Sequence, residues 1–137
     1  MAKSHVVCMG KAGVGGRRII VGRDVKTLLE LSNIIAKALP DYAKKLAKRI
    51  KAKKSDIGIL VCGSGTGMAI SANKIKDIRA AVCYNPKSTR LSRQHNNANI
   101  IALGARLTKK SLSLKLVDLF LKTKFEGGRH IKRVKKI

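Results

Sequence analysis

The sequence has no tryptophan, and its other aromatic side chains are Tyr42, Tyr84, Phe120 and Phe125. A core must therefore be built from Ile, Leu, Val and Ala, and recognition of single-stranded nucleic acid by base stacking has few rings to use. Acidic residues are also scarce, with 7 Asp and Glu against 31 Lys and Arg. The three cysteines, Cys8, Cys62 and Cys83, form no CxxC pair. Their odd number and the lack of a signal-peptide pattern argue for a reducing, cytosolic setting. No apolar run approaches the ~20 residues of a membrane span. What remains is a chain of 137 residues, read as a single domain over 1–137 that buries a core without disulfides or metals.

The formal charge of +24 points to nucleic acid, an anionic surface or an anionic substrate. The excess is spread along the chain, with two dense stretches, Lys44–Lys54 and the tail from Lys122 to Lys136. A solvated lysine-rich face accounts for such runs as readily as an anionic partner does. The acid-poor start, up to Arg23, faintly resembles a transit peptide, against which its interleaved glycines count.

Hydrophobic spacing lays out alternating strands and helices. His5–Met9 reads as a first strand, followed by a flexible turn at Lys11-Ala-Gly-Val-Gly-Gly16. Asp24–Leu39 has apolar residues mainly at helical spacing, with Asp24 as N-cap, and Pro40 punctuates it. Asp41–Lys54 reads as a second helix with Ala43, Leu46, Ala47 and Ile50 inward. Asp56–Cys62 is a nearly continuous apolar run, the pattern of a strand buried on both faces of a parallel sheet. Gly63-Ser-Gly-Thr-Gly67 and a helical stretch over Met68–Lys74 follow. Ile78–Cys83 and Asn99–Leu103 read as further strands, with a helix over Asn85–Arg93 between them. Thr108 is placed to cap a last helix carrying Leu112, Leu116 and Phe120. The tail shows no sustained apolar face. This order implies an α/β fold: a Rossmann-like three-layer sandwich on a doubly wound parallel sheet.

The loop after Cys62 carries the clearest chemistry. Small residues between a strand and a helix gather backbone N–H groups around one point, where the helix N-terminus favours negative charge. It lies at the carboxyl ends of the strands, where open α/β sheets bind ligands. A tight turn needing positive φ would explain the glycines alone. Cys62 at the mouth of that loop is placed to act as nucleophile or general base, with an oxyanion site beside it. Cys8 and Cys83 sit inside apolar runs and read as structural. His95 lies among Asn96, Asn97 and Asn99, residues suited to fixing a tautomer or contacting sugar hydroxyls. Arg129 and Arg133 share a face if the tail is helical, and could then clamp a phosphate; a solvated basic tail is the plainer reading.

Taken in order, these segments resemble the type B ribose-5-phosphate isomerase family and its galactose-6-phosphate isomerase relatives. The likeness rests on Asp41-Tyr-Ala43, Gly58–Lys74, Ile78–Cys83, Leu91–Asn99, Leu103–Arg106 and Phe125–His130, and covers about residues 40–137. It implies an aldose–ketose isomerase that interconverts ribose 5-phosphate and ribulose 5-phosphate through an enediolate, in the pentose phosphate pathway, with no metal or organic cofactor. His95 would assist ring opening, Cys62 would move the proton between C2 and C1, and Ser64 would serve the neighbouring oxygens. Backbone N–H groups of Gly63–Gly67, with Gly65 between, would form the anion hole. Asn96 would hold the sugar, and Arg106, Arg129 and Arg133 the phosphate. The family shares each site across a dimer interface, which implies a homodimer or tetramer and an inactive monomer. Cys62 separates this chain from the branch with a loop glutamate, since Ala69 and Ile70 supply no carboxylate. A basic nucleic-acid-binding protein is the rival class, and a galactose-type relative the rival within the family.

Residues 1–39 depart from the pattern. The family opens with Asp-His-Ala-Gly; here Met9-Gly-Lys-Ala-Gly13 puts Lys11 at the His position, which keeps phosphate affinity, and Gly10 where the Asp belongs. Divergence that impairs activity would explain this, as would a shifted reading frame; the abrupt change near Leu39 favours the second.

Overall fold

The computed structural model describes residues 7–9, 19–21 and 39–137. The expected turn at 11–16, with the candidate phosphate ligand Lys11, and the helical pattern over 24–38 lie outside the described residues. The elements are β1 (Val7–Met9), β2 (Ile19–Val21), α1 (Leu39–Lys51), β3 (Ile57–Cys62) and α2 (Thr66–Asn73). They continue with β4 (Ala80–Val82), α3 (Pro86–Gln94), β5 (Ile100–Gly104), α4 (Lys110–Lys122) and α5 (Arg129–Val134).

The strands form one sheet in the order β1-β2-β3-β5-β4. β2, β3, β5 and β4 run parallel to their neighbours, as the alternating pattern requires. β1 is the exception and pairs antiparallel with β2. Its connection, residues 10–18, is shorter than the dozen or so residues a parallel crossover needs. β2 itself escapes sequence reading, because three apolar residues between Arg18 and Gly22 are too few to show a period.

β3 is buried throughout and divides its side chains between two cores. Leu60 and Cys62 join Ala43, Leu46, Ala47, Met68 and Ala72 on the α1/α2 face. Ile57, Ile59 and Val61 meet Leu116 and Phe120 of α4 on the opposite face. Helices thus cover both faces of a Rossmann-like sheet. α1 keeps the expected stripe inward and turns Lys44, Lys45, Lys48 and Lys51 to solvent, so this basic run is the wet side of an amphipathic helix.

Boundaries differ from expectation at several places, and β4 covers Ala80–Val82 in place of the expected Ile78–Cys83. α1 stops at Lys51, three residues early, where Lys53 takes φ 54° and Lys54 N–H closes back on the Arg49 carbonyl. Thr108 does not cap α4; Lys109 holds the cap position, and the Thr108 hydroxyl is buried without a hydrogen bond among the described residues. The tail is helical over α5, although Ile131 and Val134 are the only apolar residues of that helix.

Candidate active site

Cys62 ends β3 and is 6% exposed. The Gly65 N–H donates to its Sγ at 3.1 Å, so the first turn of the loop aims a backbone dipole at the sulfur, where negative charge would be met. Gly65 has φ 81° and precedes the first residue of α2 without a side-chain cap. Thr66 N–H reaches Ser64 Oγ at 3.3 Å, while those of Gly67 and Met68 have no carbonyl a turn earlier within the helix. Ser64, Thr66 and Gly67 are exposed. The result is a shallow cradle of N–H groups beside a thiol.

β5 braces this cradle. Cys62 pairs with Gly104, the Cys62 carbonyl accepts from Ala105 N–H at 2.8 Å, and the Gly63 carbonyl accepts from Arg106 N–H at 3.0 Å. The Arg106 side chain lies over Gly63, 3.4–3.6 Å from where a Cβ would stand. Tyr84 O–H donates to the Ser64 carbonyl at 3.3 Å; nothing in its sequence position marks this role, which depends on strand order. At Gly104 a Cβ would come within 2.7 Å of the Ser64 carbonyl oxygen. Gly104→Ala is therefore expected to displace the Ser64 peptide and lower stability by about 1–3 kcal/mol, read as the urea midpoint, with loss of activity beyond the loss of folded protein.

A second group gathers where α3 ends. Asn85 caps α3 by accepting from Ser88 N–H at 2.9 Å, with Pro86 at its start, and the helix delivers His95 at its C-cap. The His95 and His130 rings stack with centroids 4.3 Å apart and an 11° interplanar angle. Glu126 Oε2 lies 3.8 Å from His95 Nε2 and 3.7 Å from His130 Nε2. Arg133 donates to His130 Nδ1 at 3.1 Å. Burial lowers the pKa of His130, and His95, Arg133 and Arg129 lower it further against the opposing pull of Glu126. Asn96 edges a cleft of about 460 Å³ shared with Arg79 and Ile137. Glu126 and His130 were not singled out by sequence; their four-residue spacing was the available signal.

These two groups do not meet within one chain. Cys62 pairs with Gly104 at the carboxyl end of β5, whereas His95 and Asn96 precede Ile100, which opens that strand. Four residues of strand separate the two levels, about 13 Å. Cys62, Ser64, the loop glycines and Arg106 form one half; His95, Asn96, Arg129 and Arg133 form the other. Cys83, the other described thiol, is buried with its pKa raised by desolvation, in keeping with a structural place.

Comparison with known proteins adds the family. The Ribose/Galactose Isomerase family model matches residues 22–137. The chain belongs to this family. The match reaches upstream of residue 40, where the motif likeness begins. Ribose-5-phosphate isomerase B of Escherichia coli is 46% identical over 98 residues, 72% of this chain and 66% of that protein. A solved structure of Clostridium thermocellum ribose-5-phosphate isomerase B superposes with TM-score 0.71 at 50% identity, over 72% of this chain and 66% of the other. The Mycoplasma genitalium enzyme, solved with bound ribulose-5-phosphate, gives TM-score 0.68 at 44% identity, over 72% and 65%. The chain spans just under two thirds of the length of the curated relatives it matches. Among the described residues no helix is long and apolar enough to cross a membrane.

Proposed function

We propose that this chain is an aldose–ketose isomerase that interconverts ribose 5-phosphate and ribulose 5-phosphate in the cytoplasm, at sites completed by a second copy of itself. The observation that carries this reading is Cys62 Sγ held under the Gly65 N–H, a base beside an anion cradle. Isomerisation of an aldose needs that pairing. Cys62 takes the C2 proton of the open-chain aldehyde, and the electron pair runs through the new C1–C2 double bond onto O1. The N–H groups around Ser64 and Gly67 meet the O1 charge. Ser64 passes the O2 proton to O1, and Cys62 returns its proton to C1, which leaves the ketone at C2. No atom is gained or lost, and no metal or cofactor enters.

The separation of about 13 Å between the two levels supports a shared site. A phosphate held by Arg129 and Arg133, and a ring opened by His95, cannot reach Cys62 of the same chain. A second copy would bring them together, and Ile70, Tyr84 and Leu107, all exposed around the Cys62 loop, offer apolar surface for it to cover. The ribose substrate is favoured over a galactose one because the similar proteins bear ribose names. The nucleic-acid alternative is not favoured, since the α1 lysines are accounted for as a solvated face. Arg129→Ala is expected to raise KM for ribose 5-phosphate about 10- to 100-fold with little change in kcat, the range for a charged hydrogen bond. Arg133→Ala is expected to lower kcat as well, because Arg133 also holds His130. Steady-state kinetics of the two variants checks both; a KM unmoved by either would exclude the phosphate assignment.

A further inference from the structure

The half-site around His95 contains more than the proposed chemistry uses. We infer that Glu126 and His130 are positioning residues that hold the His95 imidazole in one plane and in the tautomer with its proton on Nε2. This rests on the reading of His95 as the ring-opening residue for its purpose, but not for its test.

Arg133 starts the chain of constraint. A guanidinium only donates hydrogen bonds, so His130 Nδ1, 3.1 Å from it, must present its lone pair. A neutral His130 therefore carries its proton on Nε2, on the side of Glu126. Burial beside Arg129 and Arg133 keeps that ring neutral. The Glu126 carboxylate, which only accepts, stands between the two Nε2 atoms at 3.7 and 3.8 Å. These separations exceed a hydrogen bond, yet a carboxylate at this range draws both N–H groups towards itself. His95 Nδ1 is left with its lone pair, free to take a proton from a sugar hydroxyl. Stacking on the buried His130 ring fixes the plane.

The carboxylate is itself anchored. Glu126 N–H donates to the Gln94 carbonyl at 3.1 Å, one residue from His95, and Arg93 Nε donates to the Thr123 carbonyl at 3.2 Å. The segment after α4 is thereby tied to the end of α3. The Glu126 side chain is half exposed and faces both imidazoles, so its substitution removes little from the core.

The same three residues place potential ligand atoms within 4.8 Å of one another, which raises a metal site as the other reading. Protonation argues against it. A cation would need lone pairs on both Nε2 atoms, whereas Arg133 demands the lone pair of His130 at Nδ1. Arg129 and Arg133 also set positive charge beside the position a cation would take.

The test is long-range ¹H–¹⁵N correlation of the histidine rings in the full chain, above the histidine titration range, with steady-state kinetics on the same samples. Wild type is expected to show His95 as a single Nε2–H tautomer. Glu126→Ala is expected to move the His95 ring nitrogens towards the averaged shifts of a free imidazole while the urea midpoint stays in place. It is also expected to lower kcat on ribose 5-phosphate about tenfold or more with KM nearly unchanged, the size of loss when an imidazole loses its orienting carboxylate. Glu126→Gln, which keeps an acceptor but not the charge, should fall between. His95 shifts identical in wild type and Glu126→Ala would overturn the inference, as would Zn²⁺ titration that shifts both rings at stoichiometric metal. A chain without isomerase activity would sink the functional reading above and leave the ring shifts to decide this one.

Discussion

Cys62→Ala is expected to lower turnover of ribose 5-phosphate by about 10²–10⁴-fold, the usual contribution of a positioned general base. The substitution removes one buried sulfur from the end of β3 and leaves the backbone of the cradle intact. Gly65 keeps its φ of 81°, and Ala105 and Arg106 still bond to the carbonyls of Cys62 and Gly63. Substrate binding should therefore persist, with KM within a few-fold of wild type, and the loss should fall on kcat. Cys62→Ser, which keeps a donor and acceptor but a much weaker base, should lose nearly as much. Progress curves for ketose formation, with folded protein checked by circular dichroism, measure both. Activity within a few-fold of wild type would remove Cys62 from the mechanism.

The second large effect is a gain. Cys62→Ala and His95→Ala are each expected to be nearly inactive alone, and their mixture to recover activity after subunit exchange. In the proposed two-fold dimer each site would take Cys62 from one copy and His95 from the other. A mixed dimer therefore has one site with both lesions and one with neither. Random exchange of equal amounts gives roughly a quarter of wild-type turnover per site. The expectation comes from the family resemblance together with the sheet register: Cys62 stands at the level of Gly104, and His95 lies before Ile100. If mixing restores nothing under conditions where labelled subunits exchange, the site is not shared.

Most of the layout was legible because β3 announces itself. Five apolar residues and Gly58, ending in a glycine loop, leave little room for another reading, and the α1 stripe at Ala43, Leu46, Ala47 and Ile50 shows its period clearly. Strand order could not be read, since pairing joins residues far apart in the chain; β3 lies beside β5, not β4. β2 was hidden by brevity. α5 was hidden by composition, because it buries His130 in place of an apolar stripe. The site followed the same division. Cys62, His95, Asn96, Arg129 and Arg133 could be named from their local pattern, Ser64 and Arg106 only through the family resemblance, and the structure places them in two groups. What local pattern could not give was the separation of those groups, the contact of Tyr84, which depends on strand order, or those of Glu126 and His130, which exist only once α4 has carried the tail back to the end of α3. Lys11 falls outside the described residues, so its place in the phosphate site stays a proposal from sequence.

The central claim, an isomerase built around Cys62, is tested most directly by supplying ribose 5-phosphate to the purified chain of verified N-terminal sequence, with a chelator present, and following ribulose 5-phosphate. Turnover is expected to persist in the chelator and to disappear with Cys62→Ala. Saturable binding of the sugar phosphate without any turnover would contradict it.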